Sequence, residues 1–539
     1  MYRSRTASKN LAGYFKGNNK LPWYLVLLGI MGTQASAITF ISGPGQAFSD
    51  GMRFVQYYFG LPLAMIVICI TFVPVFHKLK VYTAYEYLET RFDKRTRTFA
   101  AIIFLVGRGL STGISIVAPS IVLSTILGWN VYTTNIIMGG VVIIYTLAGG
   151  AKAVAYTQQL QFVIILLGLC IVAYFAVHLL PAGVGYTQAL ATANDAHKLN
   201  IITTGVTSTG SFDWNDKFNV VSGIIGGFFL ALSYFGTDQS QVGRYISASS
   251  VRESRKGLLL NGLFKIPMQF AILFIGVLIF SYYQYRAAPI NFNKHNVSSM
   301  LQSAQKDSAL YYTNAYDQEQ KALQYSNIHH IKDSLLYWQN KALETKLKYN
   351  QLASHTIPKL DVKDSDYVLM HFVTTQLPIG LVGLLIAMLF LAAWGSIAAA
   401  LNALASSTII DIHKQYKHNL TTEGKEYTYA KRYTLAWGIF CIIAAQCASS
   451  MGSLIVAVNV LGSLFYGIML GIFLIAFYVK YVKATAIFIA AVIGQLSIFY
   501  IYFMFHFQGF LWLNVIGVVI VLVLSVILQF IITMGKRAG

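Results

Sequence analysis

Apolar residues run in long blocks along this chain, and short polar stretches rich in Lys and Arg separate them. About twelve blocks can be marked, at roughly 23–48, 54–76, 98–126, 132–148, 156–180, 219–244, 258–284, 373–411, 432–449, 454–479, 484–506 and 511–533, most of them near the ~20 residues a spanning helix needs. Within them the apolar positions are continuous instead of alternating, which excludes the strands of a membrane barrel. The pattern predicts an all-α polytopic membrane protein.

One stretch breaks the rhythm. Residues 285–372 are polar, and "YDQEQKALQYSNIHHIKDSLLYWQNKALETKLKYNQL" within them has partial helical periodicity. This predicts an amphipathic helical insert lying over one face of the membrane bundle. His329 and His330 are adjacent and point different ways on a helix, so they read as a solvated pair and not a metal site. Asn296-Val297-Ser298 fits a glycosylation acceptor. The predicted organisation is a polar segment 1–22, spans 1–7 within 23–284, the insert 285–372, spans 8–12 within 373–533 and a tail 534–539.

Composition sharpens this picture. Of 539 residues 56% are apolar and 11% charged, too few charges for a soluble chain of this length. The net charge of +20 does not signal nucleic acid, because the basic residues cluster in short loops between the apolar blocks. Alternate loops carry them: Lys9 to Lys20, Lys78 to Arg97, Lys152, Arg252 to Lys256, Lys414 to Arg432, Lys480 to Lys483, and Lys536-Arg537. By the positive-inside rule both termini are cytoplasmic in a plasma membrane, or in the inner membrane of a Gram-negative bacterium. Met1 to Lys20 lacks the apolar core of a secretory leader. Cys69, Cys170, Cys441 and Cys447 lie in apolar runs without metal-ligand spacing and read as packing residues.

Several polar residues inside spans require a reason, since a charge at the bilayer centre costs about 2.5–3.5 kcal/mol even on the mildest scale. Span 1, "WYLVLLGIMGTQASAITFISGPGQAF", is dense in Gly, Ser and Thr. Two readings stand: close helix packing, or a discontinuous helix whose freed carbonyls bind a cation. Span 6 carries "SYFGTDQ", with Asp238 after a nearly apolar run. Either Asp238 reaches interfacial water or the helix breaks there to line a path, and the second is preferred. Spans 1 and 6 each open a group of five, which suggests an inverted repeat. Span 8, "FLAAWGSIAAALNALASSTIIDIHKQ", is a small-residue seam in which Ser396 offers a hydroxyl suited to a hard cation. Lys265 in span 7 either snorkels or faces the interior, where it would meet Asp238 or a solute oxygen. No nucleophile–base pair, metal cluster or phosphate loop is seen, so the chain does not read as an enzyme.

Five segments, in order, resemble the sodium:solute symporter family: "FVPVFHKLKVYTAYEYLETRF", "LAGGAKAVAYTQQLQF", "SYFGTDQSQVGRY" with "RESRKG", "LPIGLVGLLIAMLFLAAWGS", and "LNALASSTIIDI". The resemblance runs from about Tyr14 to Lys480 around the insert. It implies a five-plus-five inverted-repeat, leucine-transporter-like core, alternating access, and sodium as the coupling ion with no organic cofactor. Family members usually carry a further helix before span 1, which this chain lacks. Carried over by motif, sodium would be held by Gly32 and Ala35 of span 1 and by Ala392, Gly395 and Ser396 of span 8. The solute would meet Gln34, Thr39, Tyr58, Tyr234, Asp238, Lys265 and Asn459, and Gln158 marks an ion exit.

The departures are informative. Gly395 stands where many relatives have a second serine, leaving Ser396 as the single hydroxyl. Gln158 replaces an acid tied to a second sodium, which argues for one sodium per solute. The acid of sugar carriers falls on Tyr58 and is lost, so an anionic or zwitterionic organic solute is as well supported as a sugar. The expected function is sodium-coupled symport of a small organic solute. The alternative is a transporter-like sensor, which would need a partner for output because the chain ends at Gly539.

Overall fold

In a computed structural model, residues 22–34, 36–79, 81–329, 331–357, 360, 362–416, 423–448 and 453–538 are described, with backbone alone at 149–163, 332, 423–425 and 536–538. Among them regular structure is helical; the strand-like feature is an isolated bridge between Val206 and Phe212. Eight described helices are long and apolar enough to cross a membrane, and three shorter apolar ones accompany them.

The first apolar block is two helices, α1 (Trp23–Gln34) and α2 (Ala37–Asp50). Ser36 between them is extended, with φ −77° and ψ 170°, which ends one hydrogen-bonded ladder before the next begins. Span 2 is likewise divided, into a 3-10 turn Gly51–Tyr58, α3 (Leu61–Ile70) and α4 (Phe72–Leu79). A short α5 (Glu86–Arg91) precedes α6 (Lys94–Leu127). Asp93 caps α6 by accepting from Thr96 N at 2.8 Å, and Gly128 ends it at φ 68°, in the left-handed region where glycine has no Cβ penalty.

The sequence pattern places a loop near Lys152, but the backbone is helical throughout α7 (Val131–His178). The run Ala151 to Ala155 holds no proline and is rich in alanine, so local propensity does not stop the helix. The two apolar halves still pack separately. Asn135 donates to the Ala445 carbonyl at 3.4 Å, and Gly168 lies against Leu385.

After α8 (Tyr186–Asp195), span 6 follows the predicted break: α9 (Gly227–Thr237) stops at Asp238 and α10 (Gln239–Ile246) begins. Helix α11 (Val251–Tyr285) opens at Ser250, whose side chain accepts from Glu253 N, while Glu253 itself accepts the Trp23 N–H at 2.7 Å. The insert is helical as expected, with α12 (Lys294–Leu301) and a hairpin of α13 (Lys306–Ile328) and α14 (Lys332–Thr356). Tyr316, Ala342, Tyr349 and Ala353 form its own small core. His329 stands at the C-cap of α13 with its ring tilted against that of Tyr325; His330 lies outside the described residues.

The sequence pattern runs span 8 as one helix from 373. Instead α15 (Val368–Gln376) ends before Pro378, and α16 (Ile379–Ser407) starts after it, as expected of a residue that cannot continue the ladder. Helices α17 (Glu423–Ala448), α18 (Leu454–Tyr478), α19 (Ala484–Met504) and α20 (Phe510–Ala538) complete the bundle. Cys69 and Cys441 are buried, as packing residues should be; Cys170 and Cys447 are exposed on the outside of their helices instead.

One end of the bundle is locked by a satisfied ionic cluster. Arg97 donates to Asp411 at 2.8 and 2.9 Å, to Glu89 at 2.6 Å and to the Ile410 carbonyl at 3.0 Å. Thr83 and Ser407 donate to the two oxygens of Asp411 at 2.7 and 2.8 Å. Four such donor contacts hold the buried carboxylate in one geometry and offset part of its desolvation. This is what the residues of "TAYEYLETRF" do: they tie α5, α6 and the end of span 8 together.

Candidate functional site

The two broken spans face one partly open cavity of about 140 Å3. Its wall includes Thr33, Gln34, Ser36 and Thr39 from the first break, Tyr57 and Tyr58, and Tyr234 and Phe235 from the second. Arg108, Ser111, Thr112, Ser115, Lys265, Ser396, Asn459 and Tyr466 complete the polar lining. At the first break Thr33 donates to the Gly29 carbonyl at 2.8 Å and Thr39 to the Gln34 carbonyl at 2.9 Å. Ending α1 at Gln34 releases carbonyls from its last turn, Gly32 among them, from intrahelical bonding. Ser396 of α16 reaches the same cavity while donating to the Ala393 carbonyl at 3.0 Å. Ala392 and Gly395 are buried beside it on the helix. Of the sodium set expected from the sequence, Ser396 shares the cavity wall with the first break, Gly32, Ala392 and Gly395 are buried on their helices, and Ala35 and the Gln158 side chain lie outside the described residues.

The second break shows why Asp238 is there. Its backbone is extended, φ −74° and ψ 117°, and its side chain caps α10 by accepting from Ser240 N at 2.8 Å. The other carboxylate oxygen accepts from Tyr466 OH at 3.0 Å and stands 3.9 Å from Arg108. Tyr85 donates to the Thr237 carbonyl freed at the end of α9, and Gln239 bonds Ala84 N and the Tyr82 carbonyl. Asp238 is fully buried and forms part of the second layer behind the cavity wall. Asp238 does not itself line the cavity as expected, although Tyr234 and Phe235 of the same span do, and the expectation that it pairs with Lys265 is not met either: its partners are Arg108 and Tyr466.

Lys265 is 2% exposed and therefore does not snorkel. Its ammonium lies 5.3 Å from the centre of the Tyr58 ring, and no hydrogen-bond acceptor or carboxylate stands against it among the described residues. Arg108 faces the Asp238 carboxylate, so Lys265 stands on the cavity wall as a buried amine with no carboxylate partner among the described residues. Of the other expected solute residues, Gln34, Thr39, Tyr58, Tyr234 and Asn459 all line the cavity. Arg108 is the site residue that sequence reasoning misses. Its signal is plain, an arginine in the middle of the apolar "FLVGRGLSTGISI", and such a residue is a site candidate by default. Its Nε is buried without a partner among the described residues.

Two helices interrupted in mid-span, their ends turned toward a polar cavity inside an apolar bundle, define a secondary transporter. The model of the sodium:solute symporter family matches residues 14–304 and 349–494, and the chain belongs to that family. It is a sodium-coupled symporter and not an enzyme, and it is a multi-pass membrane protein. The human sodium/iodide cotransporter is 28% identical over 282 residues, 52% of this chain and 42% of that protein's length. The sodium/sialic acid symporter SiaT of Proteus mirabilis is 24% identical over 501 residues, 91% of this chain and 84% of its own. The human sodium-coupled monocarboxylate transporter 1 is 26% identical over 492 residues, 90% and 66%. A solved structure of a sodium-coupled sialic acid symporter in a substrate-bound, outward-open state matches with a TM-score of 0.72 at 23% identity, covering 98% of this chain and 94% of that one.

Proposed function

We propose that this protein couples sodium influx to the import of a small organic anion carrying one carboxylate. The observation that carries this reading is Lys265, a buried ammonium aimed at a transport cavity with a tyrosine ring for company and no counter-ion. An unpaired buried charge is expensive, and a carboxylate arriving from the cavity supplies the missing partner. Size narrows the class. An apolar cavity of about 150 Å3 accepts benzene, so 140 Å3 suits a short-chain or simple aromatic carboxylate better than a bulky sugar acid. The tyrosines and Phe235 would cover its hydrocarbon part, and the Arg108 guanidinium on the wall would take a second oxygen.

Sodium would sit at the first break, between the Gly32 and Ala35 carbonyls and Ser396, with Ala392 and Gly395 shaping the α16 side. Oxygen donors suit this ion. The paired breaks at Ser36 and Asp238, each opening a group of five spans, support a five-plus-five inverted repeat working by alternating access. One sodium moving down ~100 mV gains about 2.3 kcal/mol, and a tenfold gradient adds about 1.4 kcal/mol. We place both termini in the cytoplasm from the basic loops, and the α13–α14 hairpin outside.

Purified protein in sealed proteoliposomes tests this. Labelled propionate, butyrate or benzoate should accumulate when sodium is imposed outside, and uptake should fall away in Lys265→Met. Uptake of a neutral sugar in place of these acids would overturn the anion reading.

A further inference from the structure

Residues 305–348 lie between the two stretches matched by the family model, and they build α13 and most of α14. One of them, Lys346, reaches out of the hairpin. Its ammonium is 2.9 and 3.2 Å from the two oxygens of Asp364 and 5.2 Å from the centre of the Phe292 ring. Asp364 also accepts the Phe292 N–H at 2.8 Å, so its side chain is fully engaged. The pair is mostly shielded, with the lysine and aspartate side chains 20% and 11% exposed.

Immediately after Asp364 the chain makes a 3-10 turn, Ser365–Tyr367, and this turn rests on the helices of the cavity. A Cβ added to Gly45 of α2 would come within 2.0 Å of the Ser365 carbonyl oxygen, so backbone lies on backbone and only glycine fits. Asp366 accepts the Leu454 N–H that opens α18, at 2.9 Å. Gly45 is about 9 Å along α2 from Thr39, at 1.5 Å per residue. Leu454 directly precedes Ile455, and Thr39, Ile455 and Asn459 all line the cavity. The turn therefore bridges the two helices just beyond the cavity, on the hairpin side.

We propose that the turn 365–367 is the lid of the transport cavity and that Lys346 is a positioning residue that holds it down through Asp364. The insert is then a clamp on a part of the fold that lies within the family match: Lys346 falls in the unmatched stretch and Asp364 in the matched one. Charge-assisted bonds of this kind are stronger than neutral ones, and losing one partner leaves the other shielded and uncompensated. The lid should then spend more time raised. This rests on the cavity being the transport path, but it is read without transport.

The test uses the full chain with its four native cysteines replaced, and a reporter cysteine at Val458, a cavity-lining position. Sealed proteoliposomes are treated from outside with a membrane-impermeant thiol reagent, and labelling is normalised to folded protein recovered by size-exclusion chromatography. Lys346→Met and Asp364→Asn should each speed labelling by about tenfold. Lys346→Arg should keep the slow rate, and Gly45→Ala, which pushes the turn off from the other side, should label fast with Lys346 intact. Unchanged rates in both Lys346→Met and Asp364→Asn would overturn the clamp. So would fast labelling that Lys346→Arg fails to slow. If the parent shows no sodium-driven uptake while the labelling pattern holds, the transport reading fails and the lid stands.

Discussion

Replacing Lys265 by Met should make the protein more stable and stop it working. The side chain is 2% exposed, and a tyrosine ring at 5.3 Å is its compensation for lost water. The effective penalty for burying one ammonium is several kcal/mol, and a desolvated cation–π contact returns about 2 kcal/mol or somewhat more. Met keeps the length and most of the volume, so little cavity is created. The variant should gain roughly 1–3 kcal/mol over the empty parent. Uptake should move the other way, falling at least about 30-fold, because truncating one partner of a buried charge pair costs 2–5 kcal/mol. Thermal unfolding in detergent, run beside uptake on the same preparation, reads both. A structural lysine would show the opposite sign on stability. Loss of more than about 1 kcal/mol in Lys265→Met, or retained uptake, would refute the reasoning.

Three further outcomes follow from the same geometry. Ser396→Ala should raise the sodium half-saturation about 3- to 10-fold, the worth of one oxygen ligand on a hydrogen-bond scale, and an unchanged value in uptake kinetics would remove Ser396 from the ion site. Asp238→Asn and Arg108→Met should each cost about 3–5 kcal/mol by stranding the buried partner; the double variant should cost less than the sum, and additive changes would mean that the 3.9 Å pair carries no coupling. His371, outside the membrane spans, is bonded to Tyr283 OH at 2.8 Å, and burial, with Lys294 adding and Asp364 opposing, lowers its imidazole from the ordinary 6.5 to about 4. The unfolded chain therefore binds the proton first as pH falls. Stability should be full above about pH 6.5 and decline toward pH 4, and His371→Gln should flatten that slope in detergent melts.

The sequence made most of the bundle legible because its signal is long and redundant. The apolar blocks repeat the same message, and the caps the structure shows at Asp93, Ser250 and Gly128 agree with it. The break at Asp238 is also readable, since polar residues inside an apolar run weaken the helix where the bilayer gives it no water to bond instead, while the small residues of span 1 leave close packing and a break as equal readings. Boundaries set by a single residue were harder. Pro378 divides span 8, yet an apolar stretch continues on both sides of it. The helix through Lys152 illustrates the reverse, a charge that suggests a loop while alanines favour helix. Long-range pairing was the hardest to see: Asp238 meets Arg108, 130 positions away, and not Lys265, because hydropathy gives the depth of a residue but not the direction it faces. Lys346 and Asp364 were hidden for the same reason. Each looks like an ordinary charge in a polar insert until the hairpin folds back on the turn beneath it.

Competition for sodium-driven uptake in sealed proteoliposomes tests the solute and the coupling ion together. Labelled butyrate is supplied with sodium or with potassium outside, against an excess of unlabelled benzoate, a sialic acid, iodide or glucose. Uptake should require sodium and be suppressed by benzoate, with little effect from the sugar acid or from neutral glucose. Uptake that proceeds equally in potassium, or that glucose suppresses while benzoate does not, would contradict the claim that Lys265 awaits a small carboxylate.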